Sequence, residues 1–194
     1  LTFGSTLRSI LRQDPDVLLI GEIRDGETAD IAVKFSLTGH LVFSTVHAND
    51  APGTITRLLD IGIAPFLVGS CLNLVMAQRL VRRICNNCKE EYSSTPEELA
   101  LIGLDPARVT DALYHGKGCT ECRNTGYKGR LAIFEMIPMA RELRKLVFES
   151  ANEDDIRQAA LNNGMVTLRE AGLARVLDGT TTIEEILRST VEEL

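Results

Sequence analysis

Tryptophan is absent from this 194-residue sequence, and aromatic residues of every kind make up only 5% of it. Bases are outnumbered as well, 21 lysines and arginines against 27 acids, for a net charge of −6. A nucleic-acid binder needs a basic face and usually aromatic rings on which bases stack. Neither is here, so no nucleic-acid partner is expected. A transmembrane segment is not expected either. Ile61 to Gln78 is free of charge, but it carries Gly62, Pro65, Gly69, Ser70, Asn73 and Gln78. With Pro65 in a first turn, it reads as a helix buried in a core. No signal peptide is visible. The sequence opens at Leu1 in mid-pattern, without a methionine, and reads as an excised fragment.

Two catalytic signatures are also missing. No G-x-x-x-x-G-K-[ST] loop is present to cradle phosphates on its backbone N–H groups. The only Gly-Lys pair, Gly116-Lys117, is followed by Gly118. Nor is there a G-x-S-x-G elbow, which argues against a Ser44-His47-Asp50 triad.

What is present falls into three zones, 1–78, 79–135 and 136–194. The first reads as helix, strand, helix, strand, helix, a βαβ-type half-domain. Val17-Leu18-Leu19-Ile20 is a short apolar run of the kind a fully buried parallel strand shows. Arg24 to Thr38 is helical, with Asp25 and Glu27 in its first turn and Gly39 as its stop. Leu41 to Val46 is a second strand, and Asp50 caps a helix with Pro52 in its first turn. The middle zone is the only net-positive one: residues 79–130 hold nine bases and seven acids. From residue 141 onward the chain reads as small helices with capping boxes at Thr167/Glu170 and Thr182/Glu185 and a stop at Gly179.

Cys85-x-x-Cys88 and Cys119-x-x-Cys122 form the strongest motif. A two-residue gap lets both thiolates of a pair reach one ion, and two pairs complete a tetrahedral S₄ shell. Between them Thr95, Pro96 and Glu98 mark a helix start, so the loop can fold back and bring the pairs together. Lys89 and Arg123 follow the pairs, where cations offset the thiolate charge. Disulfides would need an oxidising compartment, which nothing here indicates, and a redox pair would not need a second pair. The spacing therefore points to structural zinc. Cys71 is unpaired and reads as a small buried residue.

Glu22 stands just past the first strand and His47 just past the second. If the strands are parallel, both emerge at the edge where open α/β sheets bind ligands. His40 precedes the second strand and falls roughly 20 Å away at ~3.3 Å per residue. A carboxylate at such an edge can hold Mg²⁺ or orient a water toward a nucleotide. It can equally be a cap or an ion-pair partner, here of Arg24. A histidine after a strand can likewise be only a loop donor.

Several stretches together resemble the type IV pilus assembly and type II secretion ATPases. "LRQDPDVLLIGEIRDGETADIA" is similar to their Walker B segment, and "LTGHLVFSTVHANDAP" to their His box. "AQRLVRRICNNC" with "GKGCTECRNTGYKGRLAIFE" is similar to their tetracysteine module, and "GMVTLREAGLARVLDGTTTIEEILRST" also fits. The resemblance covers nearly the whole chain. It implies an α/β fold, the second half of a RecA-like ATPase domain, followed by a zinc module and a small helical C-terminal region. Glu22 matches the Walker B glutamate, and His40 and His47 match the His-box histidines near the phosphates. Thr45 and Arg24 beside them become candidate nucleotide contacts. Gly21 takes the place of the aspartate found before the glutamate in many other Walker B motifs, as the family also has it.

The family's phosphate loop and Asp box lie upstream of Leu1, so the fragment alone is expected to be inactive. The parent is implied to be a homo-hexamer using ATP and Mg²⁺. It would be cytoplasmic, peripheral at the inner face of the bacterial inner membrane, and would work on an inner-membrane platform protein. "NDAP" and "GIAPFLVGSCLNLVMAQRL" lean toward a pilus extension ATPase, with a type II secretion ATPase as the alternative. Retraction ATPases are implied to lack the four cysteines. Outside the family reading, a non-enzymatic zinc adaptor remains open.

Overall fold

The computed structural model describes residues 6, 9, 10, 12, 13, 15–103 and 112–190. The helix expected ahead of the first strand falls largely outside this set. The chain divides into two compact units, each built from two stretches: Leu1–Met76 with Met136–Met165, and Ala77–Glu135 with Val166–Leu194.

In the first unit, strands β1 (Val17–Ile20) and β2 (Leu41–Ser44) pair in parallel, with Val17 opposite Leu41 and Ile20 opposite Ser44. Helix α1 (Gly26–Leu37) makes the crossover. Asp25 caps it by accepting the Thr28 N–H at 2.8 Å, and Gly39 ends it with a left-handed φ of 98°. One face of α1, including Ala29, Ile31, Ala32 and Phe35, is buried. The strands are not buried on both faces as their apolar runs suggest. Leu18 and Ile20 are buried, whereas Val17 and Leu19 are 54% and 76% exposed. A period-2 strand covered by helices on one side can bury only alternate residues.

Helices α2 (Ala51–Asp60) and α3 (Pro65–Cys71) follow. Asp50 caps α2 through the Gly53 N–H at 2.8 Å, and Arg157 of helix α6 (Glu153–Asn162) bonds the same aspartate at 2.8 Å. Helix α5 (Arg141–Phe148) lays Phe148 against Gly69, where an added Cβ would meet the ring. The charge-free run from Ile61 is therefore not one buried helix. It breaks after Cys71, and strand β3 (Leu74–Ile84) begins within it. Only Val68 and Gly69 of α3 are buried. Among the described residues no helix is long and apolar enough to cross a membrane.

In the second unit, β3 pairs with β6 (Tyr127–Pro138), and β4 (Lys89–Tyr92) pairs antiparallel with β5 (Leu113–Gly116). Helix α4 (Pro96–Leu101) carries the full capping box expected at Thr95 and Glu98. Helices α7 (Leu168–Leu177) and α8 (Ile183–Ser189) pack over a core that includes Val81, Ile133, Val176 and Ile186. Gly172 lets them approach, since a Cβ there would strike the Ile186 side chain.

The Thr167/Glu170 box at α7 is complete. At α8 only half forms: Thr182 accepts the Glu185 N–H, but the Glu185 carboxylate turns inward. It is wholly buried and takes bonds from the Arg82 N–H at 2.9 Å, Arg82 Nε at 2.8 Å and Arg188 at 2.6 Å. Burial pushes this carboxyl up, but the Arg188 and Arg82 bonds outweigh it and bring it down to about 2. A group depressed from 4.5 stabilises the fold fully above its unfolded value and loses that contribution as pH falls toward 2. Allowing for the solvent-facing guanidiniums, we expect about 2 kcal/mol from it. Glu185→Gln should lower stability by that order at pH 7 and flatten the acid limb between about pH 4.5 and 2 in denaturant melts.

Candidate functional site

Past the last ladder pair the two strands stay joined. The Ile23 N–H donates to the Thr45 carbonyl at 2.9 Å, and Thr45 Oγ1 donates to the Gly21 carbonyl at 2.7 Å. Between these bonds Glu22 projects from the carboxyl edge. His47 Nε2 lies 3.0 Å from one of its oxygens, and the Arg24 guanidinium lies 2.7 Å from the other. The carboxylate is 36% exposed, the imidazole 80% and the guanidinium 69%. The Arg24 bond first, and His47 after it, hold the Glu22 carboxyl below its usual range, so it is ionised at neutral pH.

The parallel register thus brings His47 to Glu22, and Arg24 joins them as an ion-pair partner. His40 is not brought there. It sits at the amino end of β2, stacked on Phe35 at 4.0 Å, with Nδ1 2.9 Å from Thr38 Oγ1. No triad forms: Asp50 is spent on its helix cap and Arg157, and Ser44 Oγ turns to the Thr45 carbonyl. Gly21 lies outside the left-handed region and a Cβ there would meet nothing within 4 Å. Neither backbone conformation nor packing requires a glycine at that position.

The four cysteines form the second site. Sγ–Sγ distances are 3.9 Å for Cys85–Cys119, 3.8 Å for Cys88–Cys122 and 3.7 Å for Cys119–Cys122, and all four sulfurs lie within 4.8 Å of one another. A tetrahedron with metal–sulfur bonds of about 2.3 Å has edges of about 3.8 Å. The cage fits a tetrahedral zinc-sized ion, and no pair is closed as a disulfide. Backbone geometry builds it. Arg123 and Asn124 adopt left-handed φ values of 53° and 61°, turning the chain so that the Cys119 and Gly126 N–H groups point at Cys122 Sγ at 3.2 and 3.3 Å. Gly116 and Gly126 lie backbone to backbone, leaving no room for a Cβ.

Burial pushes the Cys88 thiol up to about 12. It pushes Cys122 up too, but there the two N–H donors prevail and hold it at about 6. The cations are not the ones the sequence suggests. Lys89 sits over the Tyr114 ring at 4.0 Å, while Lys128, paired with Glu121 at 2.7 Å, supplies positive charge to Cys85 and Cys119. Cys71 is half-buried rather than buried, and its thiol is pushed up by desolvation.

A parallel βαβ pair with an ionised acid at its carboxyl edge is the second half of a RecA-like ATPase fold, here carrying a tetracysteine module and C-terminal helices. Solved structures agree. Over 99% of this chain and 44% of the other, the fold matches that of the pilus retraction motor PilT with bound ADP, at a TM-score of 0.68 and 24% identity. The ATPase DotB of Legionella pneumophila matches at 0.64 and 18% identity, over 95% of this chain and 41% of that one. Residues 1–188 match the family described as "Type II/IV secretion system protein", and the chain belongs to that family.

Its relatives include the type IV pilus assembly ATPase PilB of Myxococcus xanthus, 50% identical over 100% of this chain and 34% of that protein. Type II secretion system protein E of Pseudomonas aeruginosa is also 50% identical, over 100% of this chain and 38% of that protein. PilB of Thermus thermophilus is 49% identical, over 99% of this chain and 22% of that protein. The chain spans little more than a third of the length of these relatives, or less.

Because each cage edge is shared, losing one sulfur opens the shell. Cys85→Ser and Cys119→Ser should each lower bound zinc, measured by atomic absorption, from one equivalent toward zero. Backbone amide exchange should rise across residues 84–92 and 113–127 while β1 and β2 keep their protection. Full zinc content in both variants would exclude the four-sulfur cage.

Proposed function

We propose that this chain is part of a motor ATPase that hydrolyses ATP to drive type IV pilus assembly at the inner membrane, with Glu22 as the acid around which hydrolysis is organised. The 3.0 Å contact between Glu22 and His47 at a parallel carboxyl edge carries this reading. Such an edge is where α/β sheets receive phosphates. An ionised Glu22 is suited to hold Mg²⁺ or to orient the attacking water. When bound, Mg²⁺ neutralises phosphate charge and favours in-line displacement.

His47 is within hydrogen-bond reach of that carboxylate and is free to turn toward a phosphate oxygen. Arg24, now on Glu22, is placed to transfer its guanidinium to an incoming phosphate, which it matches bidentately. His40 enters this reading through family likeness alone, at the opposite end of β2. The cysteine cage holds structural zinc, since all four positions are taken by protein and none is left for water.

The 194 residues hold no phosphate loop, so this stretch by itself should not turn over ATP. The parent works as a homo-hexamer on the cytoplasmic side, engaging a membrane platform protein. A type II secretion motor is the second reading, favoured equally by the 50% identity to protein E. Restoring pilus-dependent motility or type II export in deletion strains separates the two.

The direct test is steady-state ATP hydrolysis by the parent protein. Glu22→Gln should lower kcat at least ~100-fold. Wild-type turnover in that variant would remove Glu22 from the mechanism, and an inactive parent that still binds zinc would support an adaptor instead.

A further inference from the structure

The peptide groups on both sides of Glu22 are held by one residue. Thr45 donates its hydroxyl to the carbonyl before Glu22 and accepts, on its own carbonyl, the N–H after it. These bonds, 2.7 and 2.9 Å long, bracket the Glu22 Cα where the β1–β2 ladder has already ended at Ile20 and Ser44. The residue they constrain most is Gly21, which has no side chain to pack and no neighbour within 4 Å of where a Cβ would stand. A glycine hinge immediately before a working acid leaves that acid poorly aimed unless something else fixes the bend. The Thr45 hydroxyl does so. Its β-branched side chain is stiff at χ1, so Oγ1 is held ready for the Gly21 carbonyl.

We propose that Thr45 is a positioning residue for Glu22, acting through the backbone rather than on the nucleotide. This rests on the reading of Glu22 as the acid of hydrolysis. A hydroxyl has a single proton, and here it is committed to Gly21; phosphate oxygens require donors, so Thr45 has none to offer them. His47, two residues further on, holds the carboxylate oxygen itself. Thr45 sets where the side chain starts, and His47 sets where it ends.

The test uses the full-length parent with Thr45→Val, Thr45→Ser, Glu22→Gln and the Val/Gln double variant. Valine keeps shape and removes the proton; Thr45→Ala removes it without bulk, should valine not be tolerated. Thr45→Val should lower kcat at least ~10-fold with the KM for ATP within about twofold, as a misaimed group does. Serine, which retains the hydroxyl, should restore kcat to within about threefold. Adding Thr45→Val to Glu22→Gln should cost nothing further, because the two act as a unit.

Amide exchange at Ile23 gives a readout independent of turnover, and should speed up in the valine variant but not in the serine one. Unchanged kcat and unchanged Ile23 exchange overturn the proposal. So does a raised KM at normal kcat, which would make Thr45 a nucleotide contact, or an additive double variant. Should Glu22→Gln itself keep wild-type turnover, the reading of Glu22 falls, while Ile23 exchange still decides whether Thr45 holds the bend.

Discussion

Glu22 and His47 are 25 residues apart in sequence and meet because β1 and β2 run in the same direction with Ile20 opposite Ser44. Antiparallel pairing would have sent the imidazole to the far end of the sheet, where His40 sits. A slip of one residue would have turned the side chains to opposite faces. Parallel pairing in turn demands a crossover, and α1 provides it within very little chain. The strand ends at Ile20, the acid follows at 22, and Asp25 already caps the helix. Each of these few residues has one task, so the direction of Glu22 is fixed by the local fold and not by a loop free to wander.

The second unit is organised around buried charge and sulfur as much as around apolar area. Successive amides of β3 go to different neighbours: Ile84 N–H to the Thr180 carbonyl, Cys85 N–H to that of Gly126. One bond ties β3 to the segment leading into α8, the next to the cysteine turns. Two residues before Ile84, Arg82 bonds the buried Glu185, lies over the Tyr127 ring at 4.0 Å, and gives its carbonyl to Thr181. The end of β3 is therefore the common support of the cage and the C-terminal helices.

Local chemistry was legible in the sequence and long-range partnership was not. Asp25, Asp50, Thr95 and Thr167 announce their helices because a cap reads only three residues ahead. The cysteine cage was legible for the same reason, since its spacing is its geometry. The charge-free run misled because a strand starting at Leu74 exists only by pairing with β6, which begins at Tyr127. Glu185 matches a capping box, yet it serves an arginine 103 residues away. Lys89 follows a thiolate and chooses a ring instead. At the candidate site the sequence marks Glu22 and His47 by position, but the bracket that Thr45 closes around the acid depends on how the strands continue past their ladder. No one-dimensional pattern records that.

Each compact unit is assembled from two separated stretches of chain, and this has a consequence for the order of events on the ribosome. When Met76 emerges, the first unit still lacks α5 and α6, so Asp50 caps its helix before Arg157 exists to join it. The second unit must likewise wait for α8 before Arg82 finds its carboxylate. Neither half can be finished while the other is untouched; for much of synthesis the nascent chain carries two incomplete cores at once. Exposed intermediates of this kind are the ones chaperones attend, and the last turns of helix to be translated are what close them.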